Sequence, residues 1–254
     1  MRIFLSLLIF LNTTLTFAQD SVGNTRYPAS SIIFKYGLGS YALKDHYISD
    51  GKYTGTMSCL SFGWVRNHSK YVYQLDLEYR SSDEIRNYNV SARITQFTLN
   101  QGFLYQLKKG KLFNQNVDLF LGPTTEFFYF YNEPHIAVDG FDYAQSFAGL
   151  FSAGIEGAAK HQAGSRFLIE SSLRLSLLSL AFRMVDSEEN DQSPVKLVTL
   201  FSGVNASFNA GVRYHVFQTL SISAGYRFEL CRIGPWEPLI SASNNLLIGL
   251  SLDF

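Results

Sequence analysis

The stretch 70–80, "KYVYQLDLEYR", alternates between two kinds of side chain with Val72 as its one exception. One set is Tyr71, Tyr73, Leu75, Leu77 and Tyr79, and the other is Gln74, Asp76, Glu78 and Arg80. Successive strand residues point to opposite faces, so this period predicts a β-strand with one apolar and one polar face. A soluble antiparallel sheet satisfies the pattern, and so does a transmembrane barrel.

The same alternation recurs along the chain and predicts about ten strands, although eight or twelve remain open. They lie at about residues 30–41, 56–66, 70–80, 92–107, 116–131, 145–159, 166–182, 198–214, 218–230 and 246–254. The connections after even-numbered strands are short, whereas those after odd-numbered strands are long. Short turns at one end and long loops at the other are typical of an antiparallel up-and-down barrel of the outer membrane.

Residues 1–19 have the composition of a secretory signal peptide. A basic start at Arg2 precedes the apolar run "IFLSLLIFL", and the small Ala18 lies beside the expected cut near Gln19. We therefore expect one mature barrel domain over residues 20–254. The apolar run is too short to span a membrane as a helix. The 21 basic and 21 acidic residues balance, which gives no electrostatic case for nucleic-acid binding.

The last strand carries apolar side chains at alternate positions up to the final residue. They are Leu246, Ile248, Leu250, Leu252 and Phe254. This ending resembles the C-terminal signal of Gram-negative outer-membrane barrels, in which the assembly machinery reads a terminal aromatic residue. Aromatic residues also collect near the predicted strand ends, as in interfacial girdles. They are Trp64, Tyr71 and Tyr105 at one end and Tyr79, Tyr129 and Tyr131 at the other.

Over its mature length the chain thus resembles the small single-chain outer-membrane β-barrel proteins, the broad OmpA-type group. The resemblance implies that the protein resides in the cell outer membrane. It also implies contact with outer-membrane lipid and lipopolysaccharide, and with the barrel assembly machinery during biogenesis. We expect a monomer.

The polar faces of the predicted strands carry charges of both signs. Those expected in the barrel interior are Asp76, Glu78, Arg80, Glu156, Glu170, Arg174, Arg213, Arg227 and Glu229. A ten-stranded lumen is narrow, and buried charges must pair or be hydrated. We therefore expect a salt-bridge network that fills the barrel, with a polar conduction path as the alternative.

The sequence gives little support for catalysis. Proteases of the omptin type use acidic residues and a histidine at the outer rim, and the paired pattern of that family is absent. The candidates are Asp45 and His46 in the first loop and His135, Asp139 and Asp142 in the third. A Ser/His lipid-modifying enzyme is a further alternative, but His68, His161 and His215 fall in the short turns. We expect no enzyme activity, no cofactor and no metal.

Several other features allow a functional and a structural interpretation. Cys59 and Cys231 lie about three strand spacings apart, beyond the normal reach of a disulfide unless they meet across the lumen. The loop 186–191, "DSEEND", is interpreted as a solvated acidic loop, with weak cation binding as the alternative. Inward aromatic and apolar residues near the outer rim indicate either packing of the strand ends or an apolar ligand mouth. They are Phe128, Phe130, Leu178, Leu180 and Phe182.

The leading functional hypothesis is a non-catalytic outer-membrane barrel with a structural, surface-interaction or secretion and assembly-support role. The first alternative is a porin-like narrow channel or porter for small solutes or apolar ligands. The second is the lipid-modifying enzyme. The sequence names no solute and no protein partner.

Overall fold

The structure, a computed structural model, describes residues 27–46, 48, 50–87, 90–112, 115–135, 145–184, 195–200, 202–234 and 238–254. The expected signal peptide lies outside these residues and stays a prediction. The described chain forms eleven β-strands. They are β1 Ser30–Asp45, β2 Lys52–Asn67, β3 Tyr71–Asn87, β4 Val90–Leu112, β5 Gln115–His135, β6 Ser146–Ala163, β7 Phe167–Met184, β8 Val195–Thr199, β9 Gly203–His215, β10 Leu220–Ile233 and β11 Leu239–Asp253. Among these residues, no helix has the length and apolarity needed to cross a membrane.

The strands form one antiparallel sheet that closes on itself. Neighbours in sequence pair side by side, β7 pairs with both β8 and β9, and β1 pairs with β11. At the closing seam the Ser30 N–H donates to the Phe254 carbonyl over 2.8 Å, and the Phe254 N–H donates to the Ser30 carbonyl over 2.9 Å. Closure leaves no sheet edge, as the bilayer core requires. The predicted ten-stranded barrel is confirmed, because β8 and β9 together fill one position in the wall.

The single strand predicted at residues 198–214 is interrupted. β8 pairs with β7 from Leu178 to Phe182, and β9 pairs with β7 from Phe167 to Leu175. Between β8 and β9 the chain turns, with the Ser202 N–H donating to the Thr199 carbonyl over 3.0 Å. The alternation continues through this turn, so hydrophobicity alone did not reveal the break.

A bulge in β7 changes which side chains face outward. Ala153 pairs with Leu178 and Gly154 pairs with Ser176, so Leu177 is an extra residue. Leu177 and Leu178 are therefore both exposed on the outside of the barrel. The predicted inward placement of Leu178, Leu180 and Phe182 is wrong, because one extra residue reverses every later position. Ser179 and Ala181 occupy the inward positions instead.

The strands also extend further than predicted at the end that carries the long connections, here called the loop end. The long connection predicted between residues 80 and 92 is mostly strand, because β3 continues to Asn87 and β4 begins at Val90. The opposite end, with the short connections and both termini of the barrel, is the turn end. The wall strands other than β8 have 13 to 23 residues, whereas about 9–11 suffice to span a bilayer. The wall therefore continues beyond the lipid at the loop end.

The outer surface of the barrel is apolar, and the inner surface is polar over the middle of its height. Leu77 and Tyr79 are exposed on the outside, while Glu78 and Arg80 at the alternate positions are buried in the lumen. The alternate residues of the C-terminal strand are all exposed outward, and Leu246 is the most exposed at 72%. Aromatic rings pack near the turn end, with Tyr71 and Phe103 centred 4.8 Å apart. A surface of this kind is stable only in contact with lipid.

We expect Leu75→Arg to destabilise the folded barrel by about 2–4 kcal/mol, because it puts a charge on the lipid face near the bilayer midplane. Spin labels distinguish the two faces directly. A label at position 75 should be quenched by oxygen, which concentrates in lipid, and shielded from a water-soluble nickel reagent. A label at position 76 should be less accessible to oxygen. Nickel access at position 75 would show that the two faces are assigned the wrong way round.

Candidate functional site

At the loop end the lumen is filled by a hydrophobic cluster, here called the upper cluster. Its buried members are Tyr41, Leu43, Tyr53, Met57, Ile85, Ala92, Ile94, Phe128, Phe130, Ala148, Leu150, Ala181, Val198, Cys231, Ile233 and Leu239. These residues come from every strand except β9. Phe130, Ile94 and Leu239 are fully buried. Phe128 and Phe130 therefore pack against residues from the other strand ends.

One ion pair lies within this apolar layer. Arg183 on β7 pairs with Asp45 on β1, and both side chains are completely buried. The Asn132 amide donates to the other Asp45 oxygen over 3.4 Å. β1 and β7 are separated by three strands in one direction around the wall, so the pair joins distant parts of the barrel across the lumen.

Below the upper cluster, two arginines organise most of the interior charge. Arg80 pairs with Glu78 and Glu229, and Arg227 pairs with Glu78 as well. Arg227 Nη2 also lies 3.2 Å from Asp76 Oδ2. The Ser61 hydroxyl donates to the second Asp76 oxygen over 2.9 Å. These contacts join β3 to β10, which are separated by three strands in the wall.

A second interior group surrounds Arg174. Its Nη2 lies 3.0 Å from Glu156 Oε2, and its Nη1 lies 3.8 Å from Glu126 Oε2. The Gln74 amide donates to the same Glu156 oxygen over 2.6 Å. The Asn205 amide donates to Glu126. The carboxylates of this group are thus shared between an arginine and an amide, and the lumen at this height is crossed by polar contacts.

Nearer the turn end, the lumen opens into a cavity of about 170 Å³. Lys35, Lys160 and Arg213 line it together with Glu170. Glu170 lies 3.2 Å from Arg213 Nη2 and 3.6 Å from Lys160 Nζ.

The N-terminal residues lie across the turn end. The Tyr27 hydroxyl donates to Asp118 Oδ2 on β5 over 2.6 Å, although Tyr27 precedes β1. Its ring lies 5.4 Å from Lys160 Nζ, within range of a cation–π contact. Tyr27 also packs against a small lower cluster of Val72, Leu104 and Phe120. The segment before β1 therefore crosses beneath the lumen to the far wall.

The structure places all nine predicted interior charges inside the barrel, and each takes part in at least one ion pair. Other interior charges were missed, among them Lys35, Glu126, Lys160 and Asp253, together with the buried Arg183. Lys35 stands alone among uncharged neighbours, Glu126 opens an aromatic run, and Lys160 lies in a predicted turn. The strand alternation already places these residues on the inward face, and that alternation was the sequence signal that could have identified them.

Asp253 is the centre of the hydrogen bonds that hold the C-terminal strand. It accepts from the Ser31, Ser221 and Ser251 hydroxyls over 2.7, 2.6 and 2.9 Å. The alternate apolar residues that precede Phe254 all face outward, and their role as an assembly signal stays a prediction.

A serine, a histidine and an aspartate meet at the turn end, but not as a catalytic triad. Ser221 Oγ lies 2.8 Å from His215 Nδ1, and Asp253 Oδ2 lies 3.5 Å from that same nitrogen. A triad needs the serine on one ring nitrogen and the carboxylate on the other. Here Ser221 donates to Asp253 instead, which leaves no activated nucleophile.

The loop-end candidates Asp45 and His46 have separate partners. Asp45 forms an ion pair with Arg183, while His46 Nδ1 lies 2.7 Å from Asp50 in an exposed pair. Asp139 and Asp142 lie outside the described residues, and so does the acidic stretch 186–191. No group of metal-ligating side chains occurs in the described part of the chain. Cys59 and Cys231 are buried free thiols.

The comparisons with known proteins agree with this architecture. No protein-family model matches the chain, and no curated protein matches it by sequence. The translocator domain of the autotransporter NalP from Neisseria meningitidis matches with a TM-score of 0.50 and 10% identity, over 97% of this chain and 96% of that one. The outer membrane protease OmpT from Escherichia coli matches with a TM-score of 0.53 and 8% identity, over 92% of this chain and 99% of that one.

The fold is that of an outer-membrane β-barrel. Together with the lipid-compatible outer surface, it places the protein in the outer membrane of a Gram-negative envelope. At identities this low the likeness concerns the fold alone, and the proteolysis named for OmpT belongs to that protein.

We expect Asp45→Asn to destabilise the outer-membrane barrel by about 3–5 kcal/mol, because it leaves Arg183 charged and buried without its carboxylate. Arg183→Met should have a similar effect by isolating Asp45. The double variant should recover part of the loss, since an apolar replacement of a buried pair is often tolerated. Urea unfolding in lipid vesicles measures all three. Additive losses in the double variant would show that the two residues act independently.

Proposed function

We propose that this protein is a closed, non-conducting and non-catalytic outer-membrane barrel that presents its loop end for surface contacts. The observation that carries the proposal is the upper cluster. It draws buried apolar side chains from all ten wall positions, with Val198 of β8 at the position that β8 shares with β9, and so blocks the loop end of the lumen. Because apolar side chains in a close-packed layer leave no room for water, ions have no hydrated path through it.

Two further layers support the same conclusion. The arginine groups cross the lumen below the upper cluster, and their carboxylates already have partners. The cavity nearer the turn end lies above the lower cluster and Tyr27. A narrow channel would need a continuous polar path, and the described lumen alternates apolar and ion-paired layers instead.

Single-channel recording on the refolded barrel tests this proposal. We expect the wild-type protein to give no steady conductance, because the upper cluster excludes water. Heat-modifiable migration on a detergent gel confirms that the reconstituted sample is folded. A variant carrying Tyr53→Ala and Phe130→Ala removes two large side chains from the upper cluster and should show more frequent openings. Steady conductance by the wild-type protein would contradict the proposal and favour the narrow channel.

We further propose that the phosphates of lipopolysaccharide contact the outer wall near the loop end. Lys44 pairs directly with Lys52, and Ile240 lies between Lys44 and Arg232 in the same row. These cations face outward, because their strand neighbours Leu43, Tyr53 and Ile233 are buried inside. No carboxylate among the described residues lies within 4.0 Å of the three cations. Like charges directly opposite each other destabilise a sheet, so an anionic ligand would reduce the repulsion between these cations.

We expect a variant with Lys44, Lys52 and Arg232 changed to Gln to lose most of the thermal stabilisation that lipopolysaccharide gives the wild-type barrel. The physical reason is that each cation contributes a charge-assisted contact to a phosphate. Lys70→Gln at the turn end is the matched control and should keep the stabilisation. Equal stabilisation of the triple variant and the wild type would refute the contact.

A further inference from the structure

The cavity near the turn end exists because small residues line one side of it. Gly63, Gly211 and Gly225 face the lumen there, and Ser223 lies beside them. Gly249 also faces inward, and a Cβ at that position would lie 2.8 Å from Lys35 Cγ. The Lys35 side chain therefore passes over Gly249 into the lumen. The resulting space of about 170 Å³ is large enough for several water molecules or one small ion.

The charges around this space are unequal. Lys35, Lys160 and Arg213 are three cations, and Glu170 is the carboxylate paired with two of them. Arg213 has a second and longer contact, 3.8 Å, to Asp253. Lys35 has no carboxylate within 4.0 Å among the described residues. The acidic groups that act on it are Asp76 and Glu170, and each already has an arginine partner.

An unpaired ammonium in a narrow lumen is costly unless water or a counter-ion compensates it. The other lining charges do not supply a spare carboxylate. Glu156 is bound by Arg174 and Gln74, and Asp76 is bound by Arg227 and Ser61. Counting only the lining residues, five cations face three carboxylates. The cavity therefore has the charge and the size to hold a small anion.

We propose that this cavity binds a small tetrahedral oxyanion of phosphate size, with Lys35 as its principal ligand. Lys160 and Arg213 lie on the same cavity and add charge-assisted hydrogen bonds, which are stronger than neutral ones. The Ser223 hydroxyl lines the same space. The upper cluster closes the opposite end of the barrel, so the anion enters from the turn end, past Tyr27 and Lys160. The site is independent of the proposed surface role.

Inorganic phosphate is the probe for the test. The barrel is refolded in detergent, and its melting temperature is followed as millimolar phosphate replaces chloride at constant ionic strength. A ligand that binds only the folded state raises the melting temperature in proportion to its occupancy. We expect a saturable rise for the wild-type protein. Phosphorus NMR line broadening gives the affinity separately.

Two variants test the site by different means. Lys35→Met removes the unpaired cation and should weaken phosphate binding about tenfold or more. Gly63→Leu keeps every charge but fills the cavity. It is sterically accessible, because a Cβ at position 63 would have its nearest neighbour, Ile33 Cβ, at 3.6 Å. Lys70→Met removes an exposed lysine that does not line the cavity and is the matched control, which should bind phosphate like the wild type.

Loss of binding in Lys35→Met and in Gly63→Leu, with retention in Lys70→Met, supports the cavity. If one of the two cavity variants fails to fold, the other decides by the same criterion. Absence of a phosphate effect on the wild type overturns the proposal. An effect that persists in all variants also overturns it, because it would reflect general salt stabilisation.

Discussion

The bilayer core contains no water to pair with backbone N–H and C=O groups, and this constraint determines the rest of the structure. A β-sheet satisfies it only by closing, which the β1–β11 pairing achieves here. A closed sheet in lipid must then carry its apolar residues outside and its polar residues inside. Because ten strands leave little interior space, the inward charges are forced together. The ion pairs of Arg80, Arg174 and Arg227 follow from this confinement.

The two-residue period predicted the wall well where lipid covers it and less well elsewhere. In the strand 70–80, apolar residues face out and charges face in, as the sequence suggested. Beyond the lipid the polarity of the faces reverses: Leu43 and Ile85 are buried inside, while Lys44 and Arg86 lie outside. A rule that equates apolar with outward therefore fails at the loop end. There it predicts loops where the strands in fact continue.

The sequence predicted which charged residues face the interior but not which of them pair with one another. Single strands reveal which charges face inward, whereas Arg80 meets Glu229 only after the wall is closed and its register is set. Bulges add a second difficulty. Nothing in the run "LSLLSLAF" marks which leucine is the extra one, and the hydrophobic pattern fits either register until β6 pairs with it.

The closing seam has a consequence for how fast the barrel can fold. Most wall neighbours are consecutive in sequence and can zip together as local hairpins, but Ser31 and Asp253 are 222 positions apart. Closing such a long loop costs conformational entropy before the contact stabilises the barrel, and non-local pairings of this kind slow folding. Formation of the β1–β11 ladder is therefore expected to be the late, rate-limiting step. Until it forms, both terminal strands present unpaired edges that invite aggregation.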